Sequence, residues 1–162
     1  MLQRLALFFR DVLFKNRFFI AKGNIVQIAN TAHRHMKKVK IKLAGSANRL
    51  VIGENVKLTN CEIRLRGERN LIEISDDVRF KSGRIFLLDT TGQHIRIGRH
   101  TTVQGAFLLI DEAANIDIGE DCMLSTDIII RCGDKHSILD KESSKRLNPS
   151  KSIKIHERVW IG

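Results

Sequence analysis

In the segment Asp117-Ile-Gly-Glu-Asp-Cys122, an aliphatic residue is followed by a turn-compatible residue, two polar residues and a small residue. The same order of residue types returns in residues 51–56, 73–78, 96–101 and 154–159. The aliphatic anchors of the five segments are Ile52, Ile74, Ile97, Ile118 and Ile155. Successive anchors are 22, 23, 21 and 37 residues apart. A short pattern that returns at a nearly constant period indicates a solenoid, in which each repeat stacks on the one before it.

The residues between these turns read as short β-strands. They alternate or run apolar, with the Ile, Val and Leu content that is typical of strands stacked inside a narrow core. These runs are residues 58–65, 80–88, 103–110 and 124–130. A small or β-branched residue ends each turn segment, which predicts that Cys122 is a buried filler and not a nucleophile. The sequence therefore predicts an all-β solenoid, a parallel β-helix. The period fits a right-handed helix, or a left-handed one with a bulge at one corner.

The positive charge is concentrated near the N-terminus. The chain has 162 residues and a net charge of +10; residues 1–50 hold 11 Lys and Arg against one acid, Asp11, whereas residues 51–162 hold 17 of each sign. A neutral body with a basic arm argues against a nucleic-acid-binding domain, and the chain has neither Tyr nor a helix-turn-helix or finger motif. Three cysteines with no C-x-x-C pair favour a reduced, cytoplasmic compartment.

Residues 1–22 are predicted to form an amphipathic, basic helix. An apolar arc that includes Leu5, Phe9 and Leu13 lies between basic edges, and the longest uncharged run has five residues, too short to span a membrane. Such a helix suits the surface of an anionic bilayer, at the inner face of the membrane, or a contact with protein; both readings stay open. Residues 23–44 read as a basic lead-in that meets a polyanionic substrate or is a solvated face. Residues 45–162 read as the β-helix.

A break in the period indicates where a functional site lies. The last spacing exceeds the others by about 15 residues and places an insertion at about residues 131–153. The insertion is polar, contains the only proline, Pro149, and holds His136. A solenoid that departs from its repeat at one place usually does so for function.

Two features of the sequence resemble a known family. The turn segments resemble the hexapeptide repeat of left-handed β-helix acyltransferases, over residues 45–162. The motif Asp134-Lys135-His136-Ser137, followed 24 residues after the histidine by Trp160 in Val-Trp-Ile-Gly, is similar to the capsular polysaccharide and sialic acid O-acetyltransferases of that superfamily. The resemblance implies a left-handed β-helix, a homotrimer with sites between subunits, and acetyl-CoA as the cosubstrate.

The same resemblance implies roles for individual residues. His136 is expected to be the general base, since a sugar hydroxyl needs a base poised near neutral pH. Asp134 or a backbone carbonyl is expected to orient its imidazole, and Trp160 to offer a flat face to a sugar or to the pantetheine arm. Asp127, Lys135 and Ser137 are expected near the bound substrates, although Asp127 is equally suited to satisfying a turn. No metal is expected, because the histidine spacings do not resemble the three-histidine zinc site of the γ-carbonic anhydrases.

The expected function is transfer of an acetyl group from acetyl-CoA to a hydroxyl of a cell-surface polysaccharide sugar or its precursor. The basic arm favours an acidic glycan as the acceptor. The alternative, from a different class, is a catalytically silent β-helix that serves in binding or assembly. It arises because the sequence stops at Gly162, in the middle of a coil, where the resemblance implies further coils that line the acetyl-CoA groove. The sequence is then expected to be either a fragment or a shortened protein.

Overall fold

The computed structural model describes residues 13–133 and 136–162, which form eighteen short strands and the helical turn α1. The strands are β1 (Arg17–Ile20), β2 (Ile25–Ile28), β3 (Met36–Lys37), β4 (Lys40–Ser46), β5 (Arg49–Ile52), β6 (Lys57–Thr59), β7 (Cys61–Glu68), β8 (Leu71–Ile74), β9 (Arg79–Phe80), β10 (Gly83–Thr91), β11 (His94–Ile97), β12 (Thr102–Val103), β13 (Ala106–Ile110), β14 (Ile116–Ile118), β15 (Met123–Leu124), β16 (Ile128–Arg131), β17 (Ile153–Ile155) and β18 (Trp160–Ile161). The turn α1 (Asn30–His33) lies between β2 and β3.

Each strand pairs in parallel with the strand three places further along the chain, which produces three sheets of six strands. The first sheet contains β1, β4, β7, β10, β13 and β16; the second contains β2, β5, β8, β11, β14 and β17; the third contains β3, β6, β9, β12, β15 and β18. One coil contributes one strand to each sheet, so the chain winds around a single apolar core with three faces. The predicted parallel β-helix is confirmed.

The five anchors found in the sequence lie in one row of the second sheet. Ile52, Ile74, Ile97, Ile118 and Ile155 occupy successive register positions. The first four are at most 3% exposed. The row begins one coil earlier, because Ile28 pairs with Ile52. Sequence analysis missed this repeat, since Ala29 and Asn30 replace the usual Gly-Glu after the anchor.

A ladder of asparagines fixes the corner between the first and second sheets. The buried Asn48 amide donates to the carbonyl oxygens of Ala44 (3.0 Å) and Gly67 (2.9 Å), and its oxygen accepts from the backbone N–H of Asn70. Asn70 repeats the arrangement one coil on, donating to the carbonyl of Thr90 at 2.8 Å. Buried amides bonded in this way satisfy the backbone at the corner, where no strand partner is available.

The N-terminal boundary differs from the prediction. Of the described residues expected in a helix over 1–22, 13 and 14 are helical, whereas Arg17–Ile20 forms strand β1 and pairs with β4. Phe18 packs against the core, and its ring stacks on His33 with centroids 6.2 Å apart. The solenoid therefore begins at Arg17 and not at residue 45, because the segment 23–44 supplies β2, β3 and the start of β4. Residues 1–12 lie outside the described part of the chain. Within the described residues, no helix is both long and apolar enough to cross a membrane.

Candidate active site

The insertion is a loop of residues 132–152 between β16 and β17, at the corner between the first and second sheets. Its middle folds as a small hairpin, in which Leu139 bridges Arg146 in antiparallel fashion and the Leu147 N–H donates to the Ile138 carbonyl at 2.7 Å. The Asp140 carboxylate accepts from the hydroxyl and the backbone N–H of Ser143, both at 2.7 Å, and these bonds lower its pKa. The loop therefore has local structure of its own.

Glu112 ties the loop to the preceding coil. It lies in the turn between β13 and β14, where its carboxylate accepts from Arg146 at 2.9 Å and from the Ser150 hydroxyl at 2.5 Å. The hydrogen bond from Arg146, and then that from Ser150, lower the pKa of Glu112 from 4.5 to about 2. A second ion pair joins Arg131, at the end of β16, to Asp111 at 3.3 Å.

The base of the hairpin positions the backbone around His136. The side-chain amide of Asn148 donates to the His136 carbonyl and accepts from the Ile138 N–H, both at 2.7 Å. One asparagine thus brackets Ser137 from both sides. The side chains of His136 and Ser137 are exposed. Asp134 and Lys135 lie outside the described residues, so their expected roles stay predictions.

Trp160 lies on a different face. It belongs to β18 in the third sheet, pairs with the exposed Met123, and is itself 74% exposed. Because three sheets surround one core, the corner between the first and second sheets points away from the third. The loop that carries His136 leaves from that corner, and the outer face of the third sheet lies on the opposite side of the coil.

Asp127 occupies a third position, at the corner between the third and first sheets. It has a φ of +60°, in the left-handed region, and precedes β16, whereas His136 follows the other end of the same strand. A strand of four residues is about 13 Å long. The placement of Asp127 in one chain is therefore that of a turn residue. Of the described site residues, the fold brings Ser137 next to His136, and leaves Asp127 and Trp160 elsewhere.

Sequence reasoning missed Glu112, Arg146 and Asn148, which organise the loop. Arg146 and Ser150 bond to Glu112 across 34 and 38 residues, and such separations leave no local pattern. The remaining histidines have other surroundings. His94 bonds to Asp117 at 3.0 Å, and the exposed His100 lies 3.6 Å from Asp77 and 3.4 Å from Asp121. Within residues 13–133 and 136–162, no group of three or more His, Cys, Asp or Glu side chains is arranged to hold a metal ion.

No protein-family model matches the chain. It is 32% identical over 140 residues to the polysialic acid O-acetyltransferase of Neisseria meningitidis, covering 86% of this chain and 63% of that protein. It is 41% identical over 76 residues to the polysialic acid O-acetyltransferase of Escherichia coli O1:K1 / APEC, covering 47% of this chain and 25% of that protein. The chain thus spans less than two thirds of the length of these relatives.

Two crystal structures share the fold. The polySia-specific acetyltransferase NeuO matches with a TM-score of 0.73 and 32% identity, over 90% of this chain and 61% of that one. The polysialic acid O-acetyltransferase OatWY matches with a TM-score of 0.79 and 27% identity, over 91% of this chain and 67% of that one. The fold is therefore the β-helix found in acetyltransferases, with a loop inserted at one corner. Within that class, the chain is a homologue of the polysialic acid O-acetyltransferases.

Proposed function

We propose that the protein transfers an acetyl group from acetyl-CoA to a hydroxyl of an acidic cell-surface polysaccharide or its precursor, with His136 as the general base. The observation that carries this proposal is the exposed His136, held by Asn148 in the inserted loop of a chain that is similar over 86% of its length to a polysialic acid O-acetyltransferase. The names of the relatives favour an acetyltransferase over a catalytically silent assembly module.

The acetyl transfer requires one residue that accepts and then donates a proton. His136 takes the proton of the sugar hydroxyl as its oxygen attacks the thioester carbon, and returns that proton to the thiolate that leaves when the carbon–sulfur bond breaks. Asp134 fixes the tautomer of the imidazole, while Lys135 and Ser137 contact the acceptor beside it. Backbone N–H groups stabilise the oxyanion. No covalent acyl-enzyme forms in this scheme, because no triad spacing in the sequence supports Cys132 or Ser137 as the nucleophile.

The acyl donor is proposed to bind against Trp160. An indole that is 74% exposed offers a flat apolar surface for the pantetheine arm or for a sugar ring. Trp160 and the loop of His136 lie on opposite sides of one coil, so a complete site takes Trp160 from one subunit and His136 from its neighbour. Asp127, at a further corner, then reaches the site of a neighbouring subunit. These placements support a homotrimer with its sites between subunits.

The direct test measures release of free CoA thiol from acetyl-CoA in the presence of polysialic acid. His136→Asn keeps a polar, hydrogen-bonding side chain but removes the base, and we expect the rate to fall about 100-fold or more. His100→Asn, at another exposed histidine, is the matched control and should keep the parent rate. Equal rates for both variants would refute the role of His136. No turnover together with no acetyl-CoA binding by calorimetry would instead support the assembly module.

The shared site has its own test. His136→Asn and Trp160→Ala are unfolded, mixed in equal amounts and refolded together. If each site joins two subunits, random mixing restores about one quarter of the parent activity, because each site needs an intact histidine from one chain and an intact tryptophan from the next. Recovery that does not exceed the two separate variants would place both residues in one chain.

The protein is proposed to act in the cytoplasm, at the inner face of the membrane, where the basic N-terminal residues meet anionic lipid. Flotation with anionic liposomes, with and without residues 1–12, tests this contact; this deletion leaves β1 intact. Unchanged flotation after the deletion would contradict it.

A further inference from the structure

The outer face of the third sheet carries a line of basic residues that the proposed chemistry does not use. Lys57, Arg79, Thr102, Met123 and Trp160 occupy successive register positions along this face. The residues beside them, Leu58, Phe80, Val103 and Leu124, point inward and are at most 1% exposed. The alternation along each strand therefore directs the first row outward. Trp160 lies at one end of this row and two cations lie at the other.

A second row runs parallel to the first. Lys37 pairs with Thr59, and Lys81, at the end of β9, donates its backbone N–H to Val103. Lys37, Lys57, Arg79 and Lys81 are all exposed. These four residues, which belong to two neighbouring register rows, are called the cationic row. A surface groove is lined by Lys57, Arg79 and Lys81 of the cationic row. Thr59, Thr102 and Gln104 line it as well. Hydroxyl and amide groups thus stand beside the charges.

The cationic row lacks the neutralising carboxylates found on the other two faces. On the first sheet, Lys40 and Arg64 lie 3.0 and 2.7 Å from Glu62. On the second, Arg96 lies 3.3 Å from Glu73. The six strands of the third sheet contain no Asp or Glu, and no member of the cationic row forms an ion pair with a described residue.

The acids at the corner between the second and third sheets have partners there, and Asp127, at the other corner of the third sheet, lies two coils beyond Arg79. Asp76 accepts the backbone N–H of Glu54 at 2.7 Å, and the Glu54 carboxylate bonds to the hydroxyl of Thr31. Asp77 faces His100, and Glu120 pairs with Arg99 at 3.1 Å. Like charges that stand close together without counter-ions destabilise a surface unless an anion binds them. The cationic row is therefore suited to an anionic ligand.

We propose that the cationic row is an extended binding track for the acidic polysaccharide, which holds carboxylates of sugars remote from the one that reacts near Trp160. The proposal rests on the proposed function. Strands in a sheet are about 4.8 Å apart, so Lys57 lies about 19 Å along the face from Trp160. A single polymer chain laid along the solenoid axis spans this distance.

The shape of the row favours a polysaccharide over other polyanions. The charges form a strip two residues wide, because the strands of the third sheet have two or three residues each. A lipid surface would require a broad patch with exposed apolar residues among the charges. Single-stranded nucleic acid would require aromatic rings among the charges, and Trp160 is the only aromatic residue exposed on this face. A narrow cationic strip with hydroxyl and amide groups fits a chain of carboxylated sugars.

The test removes two charges from the track and two from elsewhere. Lys57→Gln/Arg79→Gln is compared with Lys42→Gln/Lys154→Gln, which removes the same charge from exposed residues on the first and second sheets that form no ion pair with a described residue. Calorimetry or surface plasmon resonance measures the binding of long polysialic acid and of a sialic acid trimer at low salt. We expect the track variant to bind the long polymer about tenfold more weakly, with a smaller salt dependence, and the trimer unchanged. The control variant should bind both like the parent.

The binding assay is run on the His136→Asn background, so its outcome does not depend on turnover. If the track is correct and the proposed acetyltransferase activity is wrong, polymer binding still depends on the cationic row, while the parent protein releases no CoA in the separate turnover assay. Equal weakening by both double variants would show an effect of net charge alone and overturn the track. So would unchanged binding by the track variant, or tighter binding of phosphatidylserine vesicles or of single-stranded DNA through the same residues. Circular dichroism confirms that each variant is folded.

Discussion

The solenoid body and the inserted loop follow different rules. In the body, a residue's place is set by its position in the repeat, so that Ile74 lies against Ile52 on one side and Ile97 on the other. In the loop, the place of His136 depends on Asn148, and the loop's attachment depends on Glu112. The body is thus stabilised by burial repeated in every coil, whereas the loop is positioned by a few polar contacts. The body should therefore govern stability, and the loop activity.

The largest expected effect on stability comes from the core of the body. Ile97 is fully buried between Ile74 and Ile118. Replacing it by Ala should lower the free energy of unfolding by about 3 kcal/mol, because a cavity opens in the middle of the stack. Urea denaturation measures the loss. The control is Leu147→Ala in the loop, where the side chain is 61% exposed and the change should stay within about 0.5 kcal/mol. Similar losses of unfolding free energy for Ile97→Ala and Leu147→Ala would contradict the conclusion that the body, and not the loop, governs stability.

Two asparagines sharpen the comparison, because they have the same side chain in the two regions. Asn48 is fully buried in the corner ladder, whereas Asn148 is part of the loop. Asn48→Ala should cost about 1–3 kcal/mol, since it leaves buried backbone groups without partners. Asn148→Ala should leave the unfolding free energy nearly unchanged and lower the rate of CoA release, because the backbone around His136 is no longer held. A larger loss of stability for Asn148 than for Asn48 would reverse this assignment.

The same division explains what could be predicted from the sequence. The anchors and the buried Cys122 follow from a pattern with one period, and the structure confirms them. The strand-forming runs are confirmed as β-rich, but each crosses a corner, so that residues 58–65 divide between β6 and β7. The start of the solenoid was placed too late, because apolar residues such as Phe18 and Ile20 fit a helix as well as a strand and only pairing with β4 decides. The insertion was visible as a break in the period, but its attachment was not. Glu112 has no motif, and its partners are more than 30 residues away.

The smallest effect concerns the tie between loop and body, and it depends on pH. Glu112 has its pKa lowered from 4.5 to about 2 by Arg146 and Ser150. A carboxyl group whose folded pKa lies below its ordinary value stabilises the folded state above that ordinary value, and the contribution is lost as the pH falls through the folded pKa. Glu112→Gln should therefore lower the melting temperature slightly at pH 7, and the difference from the parent should shrink between pH 4.5 and pH 2. Thermal denaturation followed by circular dichroism over this range measures the difference in melting temperature. Effects of the other acidic residues are the same in both proteins and cancel in this difference.

Trypsin at pH 7.5 provides a second measurement, since Lys141 and Lys145 in the hairpin should be cleaved faster in Glu112→Gln. A difference in melting temperature that grows as the pH falls, or equal rates of cleavage for the parent and Glu112→Gln, would show that Glu112 does not hold the loop.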